Sequence, residues 1–163
     1  MHDLSLYLLE LLENSVRAGA TVVATRIVAD RDADTLTVSV EDDGGGLPVA
    51  PEQAVDPFFT TKAGKRTGLG LSLFRQEAEA AGGRLEVGPS ALGGTAVTAR
   101  MAYSNIDRPP LGDLASTLVT MALTNPDVDF RLDLVDGERE VALRGAELRQ
   151  RHPALLDYQA SLE

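Results

Sequence analysis

The sequence predicts an α/β two-layer sandwich, a mixed sheet carrying helices on one face. Three observations point there. Segments with apolar residues at helical spacing are interleaved with segments of period-two alternation. Glycine runs such as Gly44-Gly45-Gly46 and Gly82-Gly83 punctuate them. At 163 residues the chain is long enough for one domain, or a domain with a small appendage.

The elements follow in order. Asp3 is an N-cap, and Leu4, Tyr7, Leu8, Leu11, Leu12 and Val16 recur at helical spacing until Gly19. Residues 21–29 are rich in β-branched side chains and form a strand. Leu36, Val38 and Val40 alternate with Thr35, Thr37 and Ser39, so 35–42 is a half-buried strand broken by the glycine triplet. Residues 47–68 carry Pro48, Pro51, Pro57 and Gly64 and are expected to be mostly loop. A helix over 70–81 stops at Gly82-Gly83, strands follow at 84–88 and 95–103, and Asn105 to Pro110 reads as a linker. Beyond it come a helix at 113–123, a hairpin pairing 128–135 with 138–143 across Asp136-Gly137, and a helical tail.

Composition excludes several classes. There is no cysteine, so disulfides and thiol chemistry are out, and His2 and His152 are too far apart in sequence to suggest a metal cluster. A net charge of −10 argues against a nucleic-acid partner, which needs a basic face. Arginines are scattered singly, and the uncharged stretch Leu114 to Pro126, which no other exceeds in length, is too short and too polar to span a bilayer. With no secretory h-region at the start, a cytoplasmic protein without membrane contact is expected.

Three short segments carry chemistry. Glu10, Asn14 and Arg17 project from one helix face, either as a solvated surface or as a set able to orient water, ligate Mg²⁺ and contact phosphate. Asp42 continues the inward series of its strand, and a buried carboxylate needs a partner. That partner is either the local glycine turn or a ligand amine such as that of adenine, with Gly44 and Gly46 letting the backbone approach a flat base. Gly68-Leu69-Gly70-Leu71 opens a helix whose free N–H groups suit an anion. The chain's only two lysines, Lys62 and Lys65, lie just before that turn, beside Arg66. Together the segments read as an ATP pocket.

These residues resemble the GHKL ATPase superfamily of gyrase, MutL, the ninety-kilodalton heat-shock chaperones and sensor histidine kinases. Glu10 to Thr21 is similar to the MutL N-box, and Asp42-x-Gly44-x-Gly46 to the adenine motif, where the alternative start at Asp43 would put Leu47 in a glycine's place. Asp56 to Lys62 and Thr67 to Leu73 look like the lid and second glycine box of histidine kinases, and Gly94-Thr95-Ala96-Val97 like the last strand motif. The resemblance covers residues 3–103 and implies a Bergerat ATP-binding fold over residues 1–103. By position it makes Glu10 the general base, Asn14 the Mg²⁺ ligand and Asp42 the adenine contact. Lys62 and the Gly68, Leu69, Gly70 and Leu71 backbone would hold phosphates, with Arg17 and Lys65 as further residues of the cofactor site, and Thr95 would reach adenine through water.

Residues 104–163 would then be a C-terminal helix–hairpin–helix extension, able to bind a partner. The string from Asn105 to Asp113 is similar to small stand-alone ATP-binding proteins associated with FeFe-hydrogenase gene clusters, which suggests a hydrogenase-related partner. The expected function is Mg²⁺-dependent ATP binding with slow hydrolysis as a regulatory switch, through the lid or the extension, with a homodimer left open. The alternatives are a protein serine/threonine kinase of the anti-sigma type and a nucleotide-gated module that does not hydrolyse. A complete self-phosphorylating histidine kinase is not expected, because only His2 precedes Glu10.

Overall fold

The computed structural model describes residues 3–46 and 67–147. Helix α1 (Leu4–Arg17) leads into strands β1 (Val22–Asp30) and β2 (Thr35–Asp42). Helix α2 (Thr67–Ala80) and strands β3 (Arg84–Pro89) and β4 (Thr95–Ala102) follow. Helix α3 (Leu114–Thr124) and strands β5 (Asp129–Asp136) and β6 (Arg139–Arg144) complete the described elements. One sheet runs β3-β4-β2-β1-β5-β6. Every neighbouring pair is antiparallel except β1 and β5, which are parallel, so the sheet is mixed as expected.

Register puts the core on one face. Leu36 pairs with Met101, Val38 with Ala99 and Val40 with Val97, while Ile27 pairs with Val38 and Val23 with Phe130. All of these are buried, whereas Thr35, Thr37 and Ser39 between them are only half-buried. Because strand side chains alternate, one row faces the helices and the other the open side. Helix α1 lies against β2, α2 against β3 and β4, and α3 against β5. Leu12, Phe74 and Leu118 fill the space between the layers. Each such side chain contributes about 1.5–3 kcal/mol on burial. The α/β two-layer fold is therefore the one the pattern predicts.

Two stretches differ from the sequence reading. Helix α2 begins at Thr67 rather than at residue 70, so Gly68, Leu69 and Gly70 form its first turn. Glycine costs roughly 1 kcal/mol against alanine in a helix, and the burial of Leu71 and Phe74 one turn later outweighs it. Residues 105–110 do not behave as a simple linker. The chain turns back to the N-terminus of α1, where Leu4 N–H donates to Pro110 O at 2.8 Å and Ser5 N–H to Leu111 O at 3.1 Å. Asp3 caps the same turn by accepting from Leu6 N–H at 3.0 Å. First-turn N–H groups lack partners within their helix, and this strap supplies them. Arg108 holds the strap, donating to Tyr103 O and lying 4.9 Å from the Tyr103 ring centre.

The described hairpin matches the expected one, with Asp136 opposite Arg139 and Gly137 at φ +62° in the turn. Its first strand extends the sheet past β1, a pairing that local sequence does not encode. Arg31 at the far end of β1 adds a two-pronged contact to Asp136, at 3.2 and 3.0 Å. Among the described residues no helix is long and apolar enough to cross a membrane. The lid segment and the helical tail lie outside the described residues.

Candidate functional site

Asp42 ends β2 on the helix-covered face and is 4% exposed. Its Oδ1 accepts from the N–H groups of Gly44 at 3.0 Å and Thr95 at 3.2 Å. Its Oδ2 accepts from the Ser15 hydroxyl at 2.6 Å. A carboxylate has about four acceptor positions, so one on Oδ2 remains for a further donor. The Gly44 bond is the local turn partner weighed above, and it leaves that position free. A narrow recess of ≈ 70 Å³ lies over this carboxylate, bordered by Leu11, Ser15, Gly46, Leu71, Thr95 and Val97. Its walls are mostly apolar, with the Asp42 carboxylate among them.

The backbone is drawn tight around Asp42. A Cβ on Gly94 would stand 2.2 Å from Asp42 Oδ1, 2.6 Å from Gly44 N and 2.7 Å from Asp42 O. Glycine is required there by contact, because the end of β2 and the start of β4 converge on one carboxylate, with Ser15 of α1 on its other side. Neighbouring Asp43 has a different task. It accepts from Thr21 N–H at 2.7 Å, Val22 N–H at 2.9 Å and the Thr21 hydroxyl, pinning the start of β1. The Thr21 hydroxyl first, and then the Val22 N–H, hold its carboxyl below the ordinary range.

Glu10, Asn14 and Arg17 line a second, wider cleft of ≈ 500 Å³, whose other wall is Met121 and Thr124 of α3 and its C-cap residue Asn125. Asn14 borders both spaces. Its Oδ1 accepts from Arg17 Nη2 at 3.0 Å, and the same guanidinium lies 3.9 Å from Glu13. Both partners of that ion pair are exposed, so it contributes no more than about 1 kcal/mol and yields readily to a stronger anion. The Glu10 carboxylate lies against Gly70 in the first turn of α2. That turn's N–H groups have no carbonyl within the helix and form its positive pole.

Tyr7 sits beneath, its ring stacked on Phe74 with centres 4.8 Å apart. Burial first, then the charges of Glu77 and Glu10, push its phenol up to about 12.

The structure thus gathers Asp42, Gly46, Leu71 and Thr95 around one recess, with Gly44 bonded to Asp42, and Glu10, Asn14 and Arg17 along the wider cleft. The Gly68, Leu69 and Gly70 backbone forms the helix turn beside Glu10. Lys62 and Lys65 lie outside the described residues. Sequence reasoning missed Ser15 and the α3 wall. Ser15 did leave a signal, since it falls on the inward stripe of Leu4, Leu8, Leu11 and Leu12, where a buried hydroxyl needs a partner. Nothing comparable marks the α3 wall.

The profile of the family described as histidine kinase-, DNA gyrase B-, and HSP90-like ATPase matches residues 2–105. The chain belongs to that family. Membership supports ATP binding, and the mixed sheet under a helical layer is the family's ATP-binding fold. The tetrathionate sensor histidine kinase TtrS of Salmonella typhimurium is 33% identical over 115 residues, which are 68% of this chain and 19% of that one. The two-component sensor PprA of Pseudomonas aeruginosa is 47% identical over 60 residues, 36% of this chain and 6% of that one. The N-terminal domain of a DNA repair protein is similar in fold alone, with a TM-score of 0.53 at 12% identity over 87% of this chain and 52% of that one. The chain spans about a fifth or less of the length of these two curated relatives.

Proposed function

We propose that the domain binds ATP with its adenine amine on Asp42, hydrolyses it slowly with Mg²⁺, and serves as a regulatory switch. The observation that carries this reading is the buried Asp42, held by three donors with one acceptor position left toward an apolar recess. Lodging that carboxylate under Gly94 makes sense if a ligand donor completes its bonding.

Among the described residues no group of three or more carboxylates and histidines is arranged to hold a metal. The Asn14 amide oxygen, at the cleft, is a hard oxygen donor that would serve as the protein's ligand to Mg²⁺. The ion's part is to neutralise charge developing on the phosphate oxygens. Asn14 presents its oxygen once Arg17 releases it, and Arg17 is then free to pair with phosphate. Glu10, lying at the first turn of α2, takes a proton from a water whose oxygen attacks the γ-phosphorus. The bridging P–O bond breaks, and ADP and phosphate leave. The first-turn N–H groups of α2, with Lys62 and Lys65, hold the phosphates.

A protein hydroxyl in place of water would make the same Glu10 a kinase base, and the wide cleft toward α3 favours keeping that second reading. The resemblance of residues 105–113 to hydrogenase-associated proteins supports a protein partner through the C-terminal part. Labelled ATP given to the chain alone, and with a cell extract, separates the readings. Free phosphate supports the switch with hydrolysis, a labelled protein supports the kinase, and neither leaves a module that only binds. Glu10→Ala should keep ATP binding and abolish turnover, and Asn14→Ala should weaken Mg²⁺-ATP more than metal-free ATP.

A further inference from the structure

An ideal Cβ built on Gly70 would stand 1.9 Å from Glu10 Oε2 and 3.0 Å from Glu10 Cδ. The carboxylate therefore occupies the volume that any other residue at 70 would fill. Gly70 itself is in the first turn of α2, its φ outside the left-handed region, so backbone conformation gives no reason for glycine there. The reason is the approach of Glu10. Tyr7 of α1 stacks on Phe74 of α2, so the two helices are packed against each other as well as at this contact.

We propose that Gly70 is a positioning residue for Glu10: the missing Cβ is the seat that sets where the carboxylate sits. This rests on the reading of Glu10 as the general base. A methyl group at 70 meets only the far end of a flexible side chain, so Gly70→Ala should fold and keep its backbone N–H. What it displaces is the carboxylate, by more than an ångström. A misplacement of that size costs on the order of a hundredfold in rate. The adenine end, built on Asp42, Ser15 and Thr95, is untouched.

The test measures turnover and calorimetric ATP affinity on the full chain for Gly70→Ala, Glu10→Ala and the double variant. Gly70→Ala should lower kcat about a hundredfold and leave ATP affinity within about threefold. Added to Glu10→Ala, it should lower turnover no further, because the group it moves is gone. The loss should fall on kcat while KM holds, a split that a merely structural role would not produce. Wild-type turnover in Gly70→Ala, or a tenfold or greater loss of ATP affinity, would each overturn the proposal while leaving the general base intact. Full turnover in Glu10→Ala, or none in the wild type, would instead remove the hydrolytic reading and this inference with it.

Discussion

Replacing Asp42 by asparagine changes one atom's chemistry and almost no volume. The structure fixes which way the amide must turn. Oδ1 faces two backbone donors, Gly44 N–H and Thr95 N–H, so an NH₂ group there would oppose both. The amide oxygen is therefore kept at that site, and the NH₂ group takes the place of Oδ2. There it meets the Ser15 oxygen, which can rotate its hydrogen away and accept instead. An incoming adenine amine now meets a donor rather than an acceptor. The loss is one hydrogen bond to a charged group, about 1.5–3 kcal/mol, or roughly ten- to hundredfold in ATP affinity. Isothermal calorimetry reads it directly, with circular dichroism to show that the variant is folded. Unchanged affinity in a folded Asp42→Asn protein would refute the adenine assignment. Ser15→Ala is the companion: it leaves Oδ2 with an extra vacancy but still an acceptor, so its effect should be the smaller.

Gly94→Ala should destabilise the fold by about 1–3 kcal/mol, because the new methyl meets the backbone of residues 42 and 44, which cannot swing aside; an unchanged urea midpoint would contradict the close approach. Thr25 carries a buried hydroxyl with no hydrogen-bond partner among the described residues. Thr25→Val should therefore stabilise by about 1 kcal/mol, a rise of roughly 2–4 °C in Tm, and a fall would show that the hydroxyl is satisfied after all. Tyr7 keeps its proton in the fold up to about 12, above the ordinary value near 10. The unfolded chain loses that proton first, so stability falls as pH rises from about 10 to about 12. Tyr7→Phe should flatten that limb in denaturation midpoints taken across this range, and an identical limb in the variant would place its origin elsewhere.

What could be read from the sequence was what short-range chemistry determines. Strand β2 was expected over 35–42 and is observed as Thr35–Asp42, because alternation along one buried face leaves little freedom of register. The Asp3 cap and the Asp136-Gly137 turn were legible for the same reason, each being a local demand met by a local residue. Asp42 was visible as a carboxylate on an apolar row, which posed a question of partners. Its answer was not visible, because Ser15 and Thr95 reach it from other elements, 27 and 53 residues away. The strap from Pro110 to α1 and the seat of Glu10 on Gly70 escaped likewise. Both are matters of where two backbones pass, and side-chain patterns carry no trace of that. The start of α2 was placed late because glycine-poor helices are the better guess, and here packing overrides propensity.

The parallel docking of β5 on β1 has a consequence for how the molecule comes into being. Arg31 and Asp136, which tie the two strands at one end, are 105 residues apart. During synthesis, β1 emerges early and waits through most of the chain for its neighbour. Until β5 arrives, its outer side is a row of unpaired N–H and C=O groups, the kind of border that recruits other strands. Loop closure over such a distance is slow compared with forming β1–β2 or β3–β4. A chain cut after residue 105 would keep every family-matched residue yet present that border permanently. Such a fragment should be born with its nucleotide residues in place and a strong tendency to self-associate. Strand β5 would then act as the cover for that border of β1.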